Sequence, residues 1–167
     1  DDANGLLDLT FVLTRGPRIF VERIDIEGNT TTLDEVVRRE FRTVEGDPLN
    51  PREIRNAAER IRALGYFSDA QVEARDGTKP GQVIVDVNVE EQPTGQLSFG
   101  ATYGAVSGLG FNAGLSEKNF LGRGQELDIQ LSTAKSNNNS RLSFVEPYFL
   151  GRDLRAGGPL LRRRPAR

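Results

Sequence analysis

The chain has 167 residues, a net charge of −2 and a hydrophobic content of 37%, which is typical of an ordinary folded protein and not of a nucleic-acid-binding one. It contains no Cys and no His, which excludes disulfides, thiol nucleophiles, Cys/His metal sites and the commonest general base. No apolar run approaches the roughly 18 residues that a membrane helix needs, so any segment that crosses a membrane must be a strand.

The first predicted element is a strand over residues 6–14, "LLDLTFVLT", which ends at the turn signal Arg15-Gly16-Pro17. No signal-like apolar segment precedes it, so we expect the chain to be a piece of a longer precursor. The segment also resembles residues 83–94, "VIVDVNVEEQPT", which suggests a repeated unit. We therefore assign residues 1–16 to the final strand of a preceding repeat.

The next unit, residues 17–93, begins with the predicted strand "IFVERIDIEGN". A helix follows, because Thr32 and Glu35 are spaced as a capping box and an apolar stripe continues as far as Val44. In the strand, alternation places three apolar side chains on one face: Phe20, Ile24 and Ile26.

The second helix of this unit carries clear boundary signals, with Asn50 as N-cap, Pro51 at the first helical position and Gly65 as the stop. Two alternating strands follow, at 66–74 and 82–91. The order βααββ predicts an α+β fold with two helices on a three-stranded mixed sheet. One face of the last strand is fully apolar: Val83, Val85, Val87 and Val89.

Residues 94–151 differ from the preceding unit in composition and pattern. Residues 95–115 contain no charged residue, and apolar side chains alternate with small or polar ones. Four strands of this kind are predicted, each rising about 23 Å when tilted, which matches the apolar band of an outer-membrane barrel. The alternative is a soluble meander, but no further helix or apolar strand is present to cover its apolar face. We predict antiparallel strands of an incomplete outer-membrane β-barrel.

The remaining residues, 152–167, are predicted to be an irregular basic tail, because "GGPLLRRRPAR" has two Pro and an Arg triplet where a fifth alternating strand would begin. No enzyme and no cofactor are predicted. The glycines in 108–114 lack the spacing of a dinucleotide-binding turn, and no Lys follows them as in a P-loop.

Several segments together resemble the family of the outer-membrane β-barrel assembly factor BamA. The similarity covers the barrel-proximal POTRA domain of that family, which is a βααββ unit, and the first four barrel strands. The segments that carry it are, in chain order, "RIDIEGNTTT", "VVRREFRTVEGD", "AAERIRALGYFSDAQV", "GQLSFGATYGAVSGLGFNAGL", "EKNFLGRGQ" and "FVEPYFLGRDLR".

This resemblance implies a role in folding and inserting β-barrel proteins at the bacterial outer membrane, with the POTRA part in the periplasm. The implied partners are unfolded outer-membrane proteins, periplasmic chaperones, accessory outer-membrane lipoproteins and the lipid bilayer, and no nucleic acid. Two alternatives stay open: a POTRA-barrel secretion pore for one dedicated partner protein, and a soluble periplasmic polypeptide-binding module.

The resemblance also implies site residues. Arg38 and Glu45 match the family surface that contacts a lipoprotein. An edge strand of the POTRA unit is expected to accept extended peptides: Asp69, Ala70, Gln71, Val72 and Glu73. The first barrel strand is expected to be a seam that pairs with client strands: Gln96, Leu97, Ser98, Phe99, Gly100, Ala101, Thr102 and Tyr103.

The glycines of the predicted seam strand, Gly100 and Gly104, allow two interpretations. They lower the cost of bending and unpairing, which a gate requires, or they relieve crowding inside a barrel.

Overall fold

The computed structural model describes residues 10–12, 16–105, 108–134 and 137–163. The strand predicted over residues 6–14 falls largely outside these ranges. The described elements, in chain order, are β1 (Phe20–Glu27), α1 (Asp34–Arg38), α2 (Pro51–Ala63), β2 (Phe67–Asp76), β3 (Gln82–Glu91), β4 (Gly95–Gly104), β5 (Gly108–Phe120), β6 (Gln125–Ala134), β7 (Asn137–Glu146), a 3-10 turn (Phe149–Gly151) and β8 (Ala156–Arg163).

The first sheet has the predicted βααββ topology. Its strand order is β1-β3-β2, with β1 parallel and β2 antiparallel to the central strand β3. The mixed three-stranded sheet is therefore confirmed. Both helices and all three strands contribute to one apolar core, whose least exposed side chains include Val21, Val36, Val37, Ile61, Val85 and Val87.

The face predicted for β1 is wrong at its first residue. Phe20 is 37% exposed, whereas its neighbour Val21 is buried beside Ile24. The pairing with β3 shifts by one residue between Val21 and Arg23, so a bulge interrupts the alternation. A bulge of this kind moves the residues before it to the opposite face, and the sequence gives no sign of it.

The first helix is also shorter than predicted. α1 has five residues, its N-cap position is Leu33, and no side chain caps it. Thr32 does not form the predicted capping box, because its hydroxyl and amide bind Asn119 and Glu91 instead. Val44 is 60% exposed and lies beyond the helix.

The second helix follows its predicted signals. Asn50 is the N-cap, and its side chain accepts a hydrogen bond from the amide of Arg52 at 3.1 Å. Pro51 is the first helical residue, and Gly65 has the left-handed φ of 73° that favours glycine after a helix. Within the described ranges, no helix is both long and apolar enough to cross a membrane.

The second sheet contains five antiparallel strands in the order β4-β5-β6-β7-β8. Its first strands agree with the predicted hairpins, and the antiparallel fold is confirmed. The fourth strand begins earlier than predicted, at Asn137, and ends before Pro147.

The predicted irregular tail is wrong over Ala156–Arg163, whereas residues 152–155 are irregular as predicted. Ala156–Arg163 forms β8 and pairs with β7, although it contains Pro159 and several Arg. Pro159 lies at a register shift on the outermost strand of the sheet, where a residue without an amide hydrogen removes no necessary ladder bond. Residues 164–167 are outside the described ranges.

Candidate functional site

One edge of the second sheet has no strand partner among the described residues. β4 pairs with β5 in an unbroken register from Gly95↔Glu117 to Gly104↔Gly108, and β8 ends the sheet on the far side. Within the described ranges the outward backbone groups of β4 have no strand partner, and an edge of this kind is a template for pairing with another strand. This edge strand contains every residue predicted for the seam: Gln96, Leu97, Ser98, Phe99, Gly100, Ala101, Thr102 and Tyr103.

Apolar and polar side chains of this sheet separate onto opposite faces, as alternation requires. Phe99 and Tyr103 are 76% and 83% exposed on the apolar face. A hollow of about 380 Å³ is lined mostly by polar side chains, among them Ser98, Asn112 and Asp128. The described residues contain no group of three or more carboxylates placed to hold a metal ion.

Gly100 faces the side chain of its cross-strand partner, Asn112. A Cβ added at Gly100 would lie 2.5 Å from Asn112 Oδ1, so the Asn112 side chain would have to move. Of the two roles considered for the glycines, relief of crowding therefore has direct geometric support at this position.

The first sheet has two outer edges, and the edge along β1 is covered. Val21 donates its amide hydrogen to Asp47 O at 2.9 Å, and Gly46 donates to Val21 O at 2.7 Å. The segment 46–49 thus runs beside β1 and occupies its backbone groups. Such covering prevents further strands from adding to an edge.

Arg38 and Glu45 close the same edge at Ile24. The Arg38 guanidinium donates to Ile24 O at 3.1 Å, and Glu45 Oε1 accepts from Ile24 N at 3.2 Å. The two side chains also form an ion pair at 3.3 Å, and Arg38 forms another with Asp34. The structure therefore brings together the two residues predicted to contact a lipoprotein, next to a hollow that the exposed Val44 helps to line.

The edge along β2 is open over part of its length. The outward backbone groups of Ala70 are already hydrogen-bonded: its amide donates to Asp69 Oδ1 at 2.8 Å, and its carbonyl accepts from the Arg62 guanidinium. Because alternate residues of an antiparallel strand direct their backbone groups to the same side, the next outward groups belong to Val72 and Ala74. The predicted peptide-binding edge, Asp69, Ala70, Gln71, Val72 and Glu73, is thus blocked at its start and accessible further along.

A buried hydrogen-bonded junction joins the two sheets. Asn119 Nδ2 donates to Thr32 Oγ1 at 2.8 Å, and Asn119 Oδ1 accepts from Gly124 N at 2.8 Å. Leu33 N donates to Gly122 O at 2.8 Å. Thr32 and Asn119 are only 3% and 7% exposed, so these bonds are shielded from water.

Glu91, the last residue of β3, holds the same loop from the other side. Its carboxylate accepts from Thr30 Oγ1 at 2.7 Å, from Thr31 N at 3.0 Å and from Thr32 N at 2.6 Å. Partial burial opposes ionisation of Glu91, but these hydrogen bonds outweigh it and lower its pKa from 4.5 to about 2.

The start of β4 is tied into this junction as well. Glu117 accepts hydrogen bonds from Thr94 Oγ1 and, at 2.9 Å, from Asn119 N. Glu117 is also the cross-strand partner of Gly95, the first residue of β4. The base of the first hairpin is therefore linked through Asn119 to the loop that precedes α1.

A second contact between the sheets lies beside α1. The Arg39 guanidinium stacks over the Tyr148 ring at 4.2 Å. Within the first unit, Arg60 Nε donates to Glu40 O at 2.7 Å. Burial raises the pKa of Glu40, although Arg39 and Arg60 oppose this shift. Tyr148 lies just after β7, at the start of the 3-10 turn, where it contacts Arg39 at the end of α1.

The sequence prediction missed the junction residues Thr32, Glu91 and Asn119. Their only sequence signals were a polar Asn at the end of an alternating strand and a run of three Thr before a helix. Neither pattern predicts a bond between residues 87 positions apart.

Two family models match the chain. A POTRA model, described as surface antigen variable number repeat, matches residues 19–92, which span β1 to β3. A model of the Omp85 superfamily domain matches residues 119–165, from the end of β5 through β8.

Known proteins are similar over most of the chain. The outer membrane protein assembly factor BamA of Neisseria meningitidis is 37% identical over 86% of this chain, and that of Neorickettsia risticii is 32% identical over 93%. These matches cover 18% and 21% of the two relatives, so the chain spans about a fifth of their length. The crystal structure of BamA from Haemophilus ducreyi lacking POTRA domains 1–3 superposes with a TM-score of 0.74 at 35% identity, covering 86% of this chain and 27% of that one.

Proposed function

Because this chain belongs to the BamA family of the Omp85 superfamily, we propose that it is part of the outer-membrane machinery that folds and inserts β-barrel proteins. In this proposal residues 17–93 are a periplasmic POTRA domain, and residues 94–151 begin a barrel in the outer membrane. Unfolded outer-membrane proteins are the clients, and periplasmic chaperones deliver them.

The observation that carries the proposal is the outer edge of β4, which has no strand partner among the described residues. A strand edge offers regularly spaced amide and carbonyl groups that bind any extended chain, whatever its side chains. Clients with unrelated sequences are therefore suitable partners for this edge. We propose that client strands add to β4 while the exposed apolar face, including Phe99 and Tyr103, contacts the lipid bilayer.

The POTRA domain contributes a second acceptor for extended peptides in this proposal. Support comes from the difference between its two edges, since β1 is covered by residues 46–49 and β2 is not. The part of β2 that can pair with a peptide begins after Ala70, at Val72 and Ala74. This part is short, so it can accept only a short extended segment.

An accessory lipoprotein is the proposed partner of the surface around Arg38 and Glu45. Both side chains remain about half exposed although they bind the backbone of Ile24. The adjacent hollow of about 330 Å³, also lined by Phe41 and Val44, offers an apolar recess beside the two charges. Apolar recesses rimmed by charge are common in protein interfaces.

Disulfide trapping in the full-length gene product tests strand addition. A Cys is placed at Ser98 in β4, and single Cys residues are placed along one strand of a client. These 167 residues contain no Cys, and any Cys elsewhere in the full-length product is replaced by Ser beforehand. Directly opposed residues in paired strands have Cβ atoms about 4.5–5.5 Å apart, within reach of a disulfide.

We expect Ser98→Cys to trap one client position, the residue directly opposite it in the paired register, more strongly than the positions on either side. The matched control is Ser132→Cys, an exposed Ser in β6, which has strand partners on both sides. Equal trapping at residues 98 and 132, or trapping without any register, would contradict the proposal.

A further inference from the structure

The sequence Phe-Leu-Gly-Arg occurs twice in the second half of the chain, at 120–123 and at 149–152. The first copy forms the turn between β5 and β6, and the second lies in the connection between β7 and β8. In an antiparallel sheet these two connections are at the same end, the end at which β4 leaves the POTRA domain. At about 4.8 Å between strands, the two turns are about 10 Å apart.

Both copies adopt the same unusual backbone conformation. Leu121 and Leu150 have φ values of 55° and 57°, and the glycines that follow, Gly122 and Gly151, both have φ of 70°. Among the described residues other than glycine, these two leucines are the ones with positive φ. The left-handed region is unfavourable for a side chain with a Cβ, so each turn keeps a strained Leu where Gly or Asn would fit better.

Burial of the side chain does not offset the backbone strain at either leucine within the described part of the chain. Leu121 is 68% exposed and Leu150 is 82% exposed. Phe149 and Leu154, in the second connection, are exposed by 42% and 55%. The two turns therefore present apolar side chains outward at one end of the sheet.

Each strained leucine is followed two residues later by an exposed arginine, Arg123 or Arg152. Within the described ranges neither arginine forms an ion pair. Arg123 and Gly151 line the same hollow, together with the carboxylates of Glu35 and Glu146, so the first arginine lies close to the second turn. An apolar tip next to an exposed guanidinium that forms no ion pair among the described residues suits a phospholipid, whose acyl boundary lies beneath its phosphate.

We propose that the two Phe-Leu-Gly-Arg turns form a membrane-contact surface. Leu121 and Leu150 enter the boundary between headgroups and acyl chains in the leaflet on the POTRA side, and Arg123 and Arg152 bind lipid phosphates. This inference rests on the proposed function, because it requires the second sheet to stand in a bilayer. The apolar face of that sheet is exposed at Phe99 and Leu131.

Site-directed spin labelling of the full-length gene product in phosphatidylglycerol vesicles tests the proposal. Labels are attached to single Cys residues at Leu121 and Leu150. Phe111, on the apolar face of β5, is the membrane control, and Val44, exposed on the POTRA domain, is the aqueous control. Collisions with oxygen report a lipid environment, and collisions with a water-soluble nickel complex report water.

We expect labels at 121 and 150 to collide mainly with oxygen, at a shallower depth than the label at 111, while the label at 44 collides with the nickel complex. If 121 and 150 behave like 44 while 111 stays in lipid, the turn proposal is overturned and the proposed function stands. If 111 is also wetted, the membrane placement itself fails. Shielding of 121 and 150 from both reagents would mean that a protein covers them, which also overturns the proposal.

A second measurement leaves the leucines unchanged. Spin-labelled phosphatidylglycerol and phosphatidylcholine are compared for enrichment around the native protein and around Arg123→Gln/Arg152→Gln. A basic side chain near an anionic surface is worth about fivefold in binding, so we expect preference for the anionic lipid to fall by up to about that factor for each arginine removed. An unchanged preference would overturn the phosphate-binding role.

Discussion

Glu91 illustrates how one side chain fixes a connection between distant elements. Its carboxylate receives hydrogen bonds from three consecutive threonines, Thr30, Thr31 and Thr32, and these bonds hold the loop before α1 against the end of β3. A carboxylate that accepts several donors is stabilised in its charged form, which is why its pKa falls to about 2 although partial burial acts in the opposite direction.

We predict that acid weakens this loop through Glu91. Because the pKa in the folded chain is below the ordinary value of 4.5, the stabilisation is complete above about pH 4.5 and is lost as the pH falls through about 2. This stabilisation is measured as the difference in hydrogen-exchange protection of the segment 28–36 between the native protein and Glu91→Gln. The difference in protection between the two should shrink as the pH is lowered.

The control for this titration is Glu90→Gln, which removes an exposed carboxylate at the neighbouring position of β3. It should leave the protection of the segment 28–36 as in the native protein throughout. A pH-independent difference between native and Glu91→Gln would show that the charge of Glu91 is not what holds the loop.

At the scale of elements, the two helices of the POTRA domain differ in what fixes their ends. The start of α2 is fixed locally, since Asn50 satisfies the Arg52 amide and Pro51 needs no donor. The start of α1 has no side-chain cap, and the amides of Thr32 and Leu33 bind groups from β3 and from the turn after β5. α1 therefore depends on tertiary contacts for its position.

We predict that Asn50→Ala destabilises α2 by about 1 kcal/mol, because the Arg52 amide loses its acceptor. The matched control is Asn56→Ala, inside the same helix, whose amide makes only a long 3.4 Å contact with Glu53. That substitution should change the stability by less than about 0.5 kcal/mol. Hydrogen exchange of the first-turn amides of α2 measures both, and equal effects would refute the capping role.

At the scale of the whole molecule, the junction between the two sheets sets how the POTRA domain sits beneath the strands. Asn119 uses its amide oxygen within its own turn and its amide nitrogen on Thr32, so one side chain belongs to both units. The same residue contacts Glu117 at the base of the first hairpin. These hydrogen bonds therefore link the POTRA domain to the start of β4, the proposed client-binding strand.

We predict that Thr32 and Asn119 are energetically coupled. Asn119→Ala should cost about 1–3 kcal/mol, because it leaves buried partners unsatisfied. Thr32→Val and Asn119→Ala together should destabilise by less than the sum of their separate effects, with a coupling of about 0.5–3 kcal/mol. Hydrogen exchange of the segment 119–124 in the full-length gene product measures the opening free energy of the native protein, of each single variant and of the double variant.

Thr31→Val is the control for this double-mutant comparison, because Thr31 contacts Glu91 through its backbone amide and not through its side chain. Its effect should add to that of Asn119→Ala within about 0.5 kcal/mol. Additive behaviour of the Thr32 and Asn119 substitutions would mean that their 2.8 Å contact does not join the domains energetically.

The sequence by itself determined α2, the alternation of β3 and the four antiparallel strands β4 to β7. Each depends on signals a few residues apart: the Asn50 cap, the alternating valines of β3 and the uncharged alternation of 95–115. Local patterns of this kind need no knowledge of partners, because caps and periodicities act within one element.

Only the tertiary structure decided the short α1, the bulge that buries Val21 in place of Phe20, and the extension of the sheet to β8. Thr32 had the chemistry of a helix cap, but Asn119 and Glu91 took its hydrogen-bonding groups. Pro159 argued against a strand, yet the edge of the sheet accommodates it at a register shift. In each case the local sequence allowed more than one structure. Contacts with residues that are distant in sequence and adjacent in space determined which one formed.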